Sequence, residues 1–166
     1  MMNVEYKFFK IPTIAAITFA YCSASEAIDL LIENFADNDG SFVQEATGNT
    51  PIPALYNAGR GTWSIEGDDS GPATNTITSP IIEVPKTAGI QVSFDHRYSI
   101  EADDWDGAGL QISIDGSEFT NVPQSAFTQN GYTNINSLIG NHVLKGHDGF
   151  SLSLIHISEP TRQFRI

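Results

Sequence analysis

Apolar and polar side chains alternate most regularly between Ile90 and Ile100. One face of this segment carries Ile90, Val92, Phe94, His96, Tyr98 and Ile100. The other face carries Gln91, Ser93, Asp95, Arg97 and Ser99. Because successive side chains of an extended strand point to opposite faces, an alternation of period two predicts a strand with one buried face and one solvent-facing face.

A second alternating segment follows and ends in a turn. Leu110, Ile112 and Ile114 alternate with polar residues, and Asp115-Gly116 comes directly after them. An Asp-Gly pair between two apolar runs is a strong hairpin signal, since both residues tolerate the backbone geometry of a tight turn. We therefore expect a hairpin whose return strand begins at Phe119.

Shorter segments of the same kind surround these two. Trp63 and Ile65 alternate with polar residues, and residues 77–84 are rich in β-branched side chains but contain Pro80. Proline donates no ladder hydrogen bond, so it places this segment at a sheet edge or at a bend. Turns rich in Gly and Asp separate the segments, and only residues 27–35 are ambiguous between helix and strand. The pattern predicts an all-β fold, an antiparallel jelly-roll β-sandwich.

The first 27 residues have the layout of a secretory signal peptide. Lys7 and Lys10 precede an apolar run at residues 11–21, which is too short to cross a bilayer as a helix. Small residues follow, and cleavage after Ala24 or Ala27 fits their spacing. The alternative is a buried N-terminal helix. We expect export, which makes the protein secreted or extracellular, or periplasmic in transit, with no membrane insertion after cleavage.

The segment from Leu152 to Arg162 reads LSLIHISEPTR and resembles a translated sequencing-adapter sequence. On that interpretation the reading frame leaves the gene near residue 151, and residues 152–166 are an adapter-derived tail. The alternative is a real terminal strand, because residues 152–157 alternate in part. We therefore expect residues 28–151 to form a β-sandwich module, C-terminally truncated, between a signal peptide and a tail.

Composition narrows the class of partner. The 166 residues contain 8 Lys and Arg against 20 Asp and Glu, for a net charge of −12. Proteins that bind nucleic acid need a basic face, and anionic lipid also attracts basic segments, so both partners are excluded. The sequence has a single cysteine, Cys22, so a disulfide framework is excluded. Cys22 lies in the predicted signal peptide. A hydrophobic content of 40% is enough for a packed core.

Two adjoining stretches resemble a known family. Residues 94–101 read FDHRYSIE, and residues 105–116 read WDGAGLQISIDG. Together they are similar to the MAM-like jelly-roll modules of immune-inhibitor-A-type metallopeptidases and other secreted bacterial multidomain proteins. Members of that family continue with a strand rich in Arg and Phe and a final G-W-x-I/V-D-D strand, which this sequence does not have. The resemblance implies an incomplete, non-catalytic module, and related sandwiches often hold structural Ca²⁺.

Carboxylates concentrated in turns are the most chemically suggestive feature of the chain. Ca²⁺ prefers oxygen ligands supplied by loops that can bend. We predict structural calcium held by Glu33, Asp37, Asp39 and Asp68. The alternative is that these acids accept hydrogen bonds from their own turn backbone or simply cover a solvated surface.

A second acidic loop carries an aromatic residue. Trp105 lies between Asp104 and Asp106, and we predict that these three bind ligand, with the indole stacking on a sugar ring. The alternative is that Trp105 folds back and fixes the loop. An enzyme interpretation would use Glu101, Asp103 and Asp106 as glycosidase carboxylates. A laminarinase-like site, however, has Glu at the last position, where this chain has Asp.

We expect no metal or catalytic site at the histidines. His96 lies on the apolar face of the alternating strand, where we expect a core residue. His142 and His147 have no third ligand nearby, and Zn²⁺ needs three or four ligands. The sequence also contains no G-x-S-x-G nucleophile motif and no phosphate-binding glycine motif.

These observations favour a non-catalytic accessory or adhesion module of a larger secreted protein, which binds an extracellular glycan or protein. The alternatives are a lectin-like glycosidase or lyase fragment and a purely structural spacer domain. No catalytic residue is predicted.

Overall fold

A computed structural model of the chain describes residues 2–9, 13–22, 27–66, 71–84, 89–100, 106–136, 141–144, 146–147 and 151–157. In this part of the chain the regular structure is β-strand apart from one turn of 3₁₀ helix at Gln124–Ala126. The all-β prediction is therefore confirmed. None of the described residues belongs to a helix long and apolar enough to cross a membrane.

Within these described ranges the strands form two larger sheets and two short pairs, and every pairing is antiparallel. In chain order they are β1 (Met2–Phe9), β2 (Thr13–Cys22), β3 (Ala27–Glu33), β4 (Val43–Gly48), β5 (Leu55–Asn57), β6 (Thr62–Ser64), β7 (Ala73–Thr78), β8 (Ile82–Val84), β9 (Gly89–Arg97), β10 (Ser99–Ile100), β11 (Gly109–Ile114), β12 (Thr120–Asn121), β13 (Phe127–Gln129), β14 (Asn134–Asn136), β15 (Asn141–Val143), β16 (Gly146–His147) and β17 (Ser151–Ile157). The short pairs are β10 with β16 and β14 with β15.

The first sheet has the strand order β12-β11-β1-β7-β4, and β8 pairs with β1 beside β7. β7 and β8 are two parts of one strand that is interrupted around Pro80. Lys7 pairs with Thr78, and Val4 pairs with Ile82. Between these two pairs the strand made of β7 and β8 therefore has one residue more than β1. The extra residue makes a β-bulge, a place where a sheet tolerates proline. The bend predicted at Pro80 is confirmed.

The second sheet has the strand order β13-β17-β9-β2-β6-β5, and β3 pairs with β2 beside β6. β9 contains most of the alternating segment. Ile90, Val92, Phe94 and His96 are all buried, whereas Arg97 is exposed. Burial of every second residue confirms the strand that the alternation predicts.

A single cluster of buried apolar side chains joins the two larger sheets. The first sheet contributes residues such as Ile77 and Leu110, and the second contributes Ile17, Val92 and Phe94. A shared core is how two antiparallel sheets remove their apolar faces from water. Within the described residues both sheets are open rather than closed into a barrel.

Both ends of the chain contribute strands to these sheets. β1 lies between β11 and β7 in the first sheet, and β2 lies between β9 and β6 in the second. β17 pairs along β9, so the partial alternation of residues 152–157 corresponds to a strand. Removal of residues 1–27 as a signal peptide stays a prediction. Such removal would take β1 and β2 out of the interior of both sheets.

β11 and β12 form the predicted hairpin. Asp115 has a φ of 53° and Gly116 a φ of 74°, and the N–H of Ser117 donates to the carbonyl oxygen of Ile114 at 3.1 Å. Positive φ at both central residues is the geometry of a type I′ turn. The return strand begins at Thr120, one residue later than predicted.

Candidate functional site

The acidic loop, residues 34–42, connects β3 to β4 and contains the predicted calcium ligands Asp37 and Asp39. Two buried phenylalanines hold its ends in the core. Phe35 is fully buried and Phe42 nearly so, and their rings meet edge to face with centroids 5.3 Å apart. Because such a pair buries a large apolar area in a defined geometry, both ends of the loop are fixed to the core.

Short polar side chains fix the backbone within and beside the acidic loop. Glu33 Oε1 accepts a hydrogen bond from the backbone N–H two residues later at 2.6 Å, and Asp39 Oδ1 does the same at 3.0 Å. Asn34 and Asn38 also accept from the N–H two residues later, at 3.0 and 2.8 Å. Glu33 and Asp39 therefore accept hydrogen bonds from the backbone of their own turn, as the alternative to calcium binding predicts. Each of these bonds uses one of the two carboxylate oxygens.

Two aromatic side chains from neighbouring strands anchor the acidic loop to the second sheet. The hydroxyl of Tyr56 in β5 donates to the carbonyl oxygen of Phe35 at 2.7 Å, and the indole N–H of Trp63 in β6 donates to the carbonyl oxygen of Asp39 at 3.0 Å. Tyr56 and Trp63 pair across the two strands, with ring centroids 5.8 Å apart. Trp63 is buried, as its alternation predicts. Neither hydrogen bond could be predicted from the sequence, because each joins residues more than 20 positions apart.

Two glycines are required by the way this loop closes. Gly40 has a φ of 68°, and a Cβ there would lie 2.7 Å from Cγ of Glu33. Gly61 has a φ of 59°, and a Cβ there would lie 3.1 Å from the carbonyl oxygen of Phe35. Phe35 itself has a φ of 57°, a value that a bulky residue keeps only where its surroundings hold it. The loop is therefore tightly determined by its neighbours.

Three carboxylates lie close enough to the hydroxyl of Tyr56 to affect its pKa. Partial burial and then the charges of Asp39, Glu33 and Asp37 raise the pKa of Tyr56 above its ordinary value. Asp37 and Asp39 are themselves exposed. Across the described ranges, no three His, Cys, Asp or Glu side chains come together as a group that could hold a metal ion. The acidic loop and Glu33 therefore place negative charge near Tyr56. In the described residues these acids do not form a group of three side chains that could hold a metal ion.

Most of the other predicted site residues cannot be placed against this loop. Asp68, Asp104 and Trp105, and the Glu101 and Asp103 of the enzyme interpretation, lie outside the described residues. Asp106 is half-buried and precedes Gly107, at which a Cβ would lie 2.8 Å from Cβ of Val143. The ligand-binding prediction at this second loop stays a prediction.

His96 occupies the core position that its alternation predicts. It is 1% exposed, and its ring stacks on that of Tyr98 with planes 8° apart and centroids separated by 5.7 Å. The Phe94 ring centroid lies 5.1 Å from it. His142 and His147 lie in β15 and β16. The packing of its ring against Phe94 and Tyr98 explains why His96 occupies a buried position among apolar residues.

Tyr132 makes a buried polar contact that the sequence does not reveal. Its hydroxyl accepts from the N–H of Leu110 at 3.1 Å and donates to the carbonyl oxygen of Leu110 at 3.3 Å. The backbone N–H of Tyr132 donates to Oε1 of Gln124 at 2.8 Å, and its ring meets that of Phe127 at 4.7 Å. Burial raises the pKa of Tyr132 to about 12, and the bond to Leu110 offsets part of that rise. This side chain ties the 3₁₀ turn to β11.

No protein-family model matches the chain, and neither a curated protein nor a solved structure matches it. The likeness to MAM-like modules therefore depends on the sequence alone, and chiefly on residues 94–101 and 105–116.

Proposed function

We propose that the chain is a non-catalytic accessory module of a larger secreted protein, built as an incomplete jelly-roll β-sandwich. In this proposal the acidic loop binds structural Ca²⁺ beside a surface for an extracellular glycan or protein. The observation that carries it is the fixed backbone of the loop, bonded to Tyr56 and Trp63 while Asp37 and Asp39 stay exposed. Loops positioned by a rigid scaffold are where proteins of this kind carry binding residues.

Calcium suits this loop because its ligands need not all be carboxylates. Ca²⁺ takes about six to eight oxygens, and these include backbone and amide carbonyls as well as Asp and Glu. Asp37 and Asp39 supply the negative charge, and Glu33 has a second carboxylate oxygen besides the one bonded to the backbone. A divalent cation here would offset the mutual repulsion of the acids around Tyr56. Asp68 is proposed as a further ligand from the sequence alone.

Thermal unfolding of the full chain tests the calcium proposal. We expect millimolar Ca²⁺ to raise the melting temperature and EDTA to reverse the rise, because a ligand that binds only the folded state stabilises it. The double variant Asp37→Asn with Asp39→Asn should lose this response. The matched control Asp115→Asn, which removes an exposed acid from the β11–β12 turn, should keep it. A melting curve that is the same with Ca²⁺ and with EDTA refutes the proposal.

Absorbance titration of tyrosine gives a second readout at the loop itself. Partial burial and then the nearby carboxylates raise the pKa of Tyr56, so a cation bound to the carboxylates should lower that pKa towards its ordinary value. The difference between the titrations of wild type and Tyr56→Phe isolates this residue from the other tyrosines. A melting temperature that rises with Ca²⁺ while the Tyr56 titration stays unchanged would put the ion elsewhere on the chain.

A further inference from the structure

The edges of the two larger sheets differ in their protection against an added strand. The edge strands β12, β13 and β5 have two or three residues, and β8 has three residues next to the Pro80 bulge. β3 is longer, but a register shift opposite Phe19 and Ala20 makes Leu30 a bulge, and β3 lies against β8 of the first sheet. Short length, bulges and cover are the usual devices that prevent edge-to-edge pairing.

β4, an edge strand of the first sheet, shows none of these devices among the residues that the structure describes. Its six residues pair with β7 in unbroken register and include no proline and no lysine. Among the described residues, no strand pairs with the side of β4 that faces away from β7. Val43 is 66% exposed, and Gln44, Glu45 and Thr47 are also exposed. In the described part of the chain the free edge of β4 therefore carries no paired strand, and of its six residues only Ala46 is half-buried.

The phase of the hydrogen bonds shows which backbone groups of β4 face outward. The N–H of Asn49 donates to the carbonyl oxygen of Pro72 at 2.9 Å and continues the register of β4 on β7. Hydrogen-bonded and non-hydrogen-bonded pairs alternate along an antiparallel ladder. The odd-numbered residues of β4 therefore bond to β7. The N–H and C=O groups of Gln44 and Ala46 point away from the sheet.

Charge decides which kind of strand fits this edge. Glu45 is exposed near the middle of β4, on the same face as Val43, and the chain as a whole carries a net charge of −12. In a symmetric antiparallel pair of two copies, Glu45 would lie close to its symmetry mate, and like charges in that arrangement destabilise a sheet. A strand with Lys or Arg beside Glu45 forms a favourable cross-strand pair instead. An apolar side chain on the same strand would cover Val43.

We propose that β4 is the docking edge for an extended, basic segment of another protein, which joins the first sheet as an additional strand. The outward backbone groups of Gln44 and Ala46 provide the hydrogen bonds. Val43 and Glu45 select a segment in which an apolar residue and a basic residue are two positions apart. This docking edge is independent of calcium in the acidic loop.

Peptide binding to the full chain tests the docking edge, with fluorescence anisotropy as the measurement. The probe is a fluorescein-labelled peptide of eight residues in which Thr alternates with Val and Lys. One control peptide has Glu in place of Lys, and the other keeps Lys but carries N-methyl groups on alternate backbone nitrogens. We expect the unmodified basic peptide to bind at least about tenfold more tightly than either control, because each control loses the charge pair or the backbone hydrogen bonds.

Two variants of the protein at one position separate strand pairing from general charge attraction. Ala46→Pro removes an outward N–H but leaves the hydrogen bonds to β7 in place, whereas Ala46→Thr keeps the N–H at the same net charge. We expect Ala46→Pro to weaken binding of the basic peptide roughly tenfold and Ala46→Thr to bind it like wild type.

Equal affinity of Ala46→Pro and Ala46→Thr for the basic peptide would overturn the proposal. Equal affinity of wild type for the basic and N-methylated peptides would overturn it too, and that comparison holds even if Ala46→Pro does not fold. A dimer of the chain that Ala46→Pro dissociates would make a second copy the occupant, which also contradicts the proposal.

Discussion

Replacing Tyr132 with phenylalanine should destabilise the fold, although the change removes a single oxygen atom. The Tyr132 hydroxyl accepts from the N–H of Leu110 and donates to its carbonyl oxygen, which also accepts from the N–H of Val122 at 2.9 Å. Phenylalanine keeps the ring beside Phe127 but takes this acceptor away from a buried N–H. An unsatisfied buried donor costs roughly 1–3 kcal/mol, so we expect the free energy of unfolding at neutral pH to fall by about that amount.

The stabilisation from Tyr132 should also disappear at high pH. Burial raises the pKa of Tyr132 from 10.0 to about 12, against a smaller opposing effect of the bond to Leu110. The neutral phenol is therefore the form that the folded state favours. Its contribution is fully present below about pH 10, the unfolded pKa, and is lost as the pH rises through about 12. At ~1.4 kcal/mol for each pKa unit, the raised pKa of Tyr132 contributes roughly 2–3 kcal/mol to the free energy of unfolding.

Urea unfolding of wild type and Tyr132→Phe, each at pH 8 and at pH 11, measures both effects. Wild type should be the more stable chain at pH 8, and it should lose more stability than the variant between the two pH values. The comparison cancels the titration of every other group, because both chains share them. Equal stability at pH 8, or an equal loss between pH 8 and pH 11, would show that the hydroxyl does not act as a buried partner of β11.

Other substitutions test the packing and the chain ends. Gly40→Ala should cost about 1–2 kcal/mol in urea unfolding, and more than Gly116→Ala, because a Cβ at Gly116 meets no neighbouring atom. Gly107→Ala should cost about 1–3 kcal/mol through contact with Val143, and a loss that Val143→Ala fails to relieve would contradict this reason. Deletion of residues 1–27 should abolish the cooperative thermal transition of the isolated chain, whereas a sharp transition in the deleted chain would show that β1 and β2 are dispensable.

Strands were predictable from the sequence where their two faces differ in burial. β9 alternates because one face packs on the core, and the hairpin of β11 and β12 is marked by Asp115-Gly116. β2 has no such signal, because its segment is a nearly continuous apolar run. A strand in the interior of a sheet and the apolar region of a signal peptide have the same composition. Periodicity therefore cannot separate these two roles for residues 13–22.

The chemistry of the acidic loop was visible in the sequence, but its anchors were not. The positions of Asp37 and Asp39 in a turn are evident from composition alone. Tyr56 and Trp63 reach this turn across 21 and 24 residues, and Tyr132 reaches Leu110 across 22. Such bonds depend on the register of strands that pair far apart in the chain. No local pattern encodes that register.

The pairing of the first two strands with distant partners sets an order of events during synthesis. β2 meets β9 only after residue 97 has been made, and β1 meets β11 only after residue 114. At about 5–20 residues per second, the nascent chain spends on the order of 5–20 s without those partners. Throughout this interval β1 and β2, which lie in the predicted signal peptide, are without β11 and β9. The segment that the sequence predicts to be a signal peptide therefore contains β1 and β2, which are interior strands in any chain that keeps them.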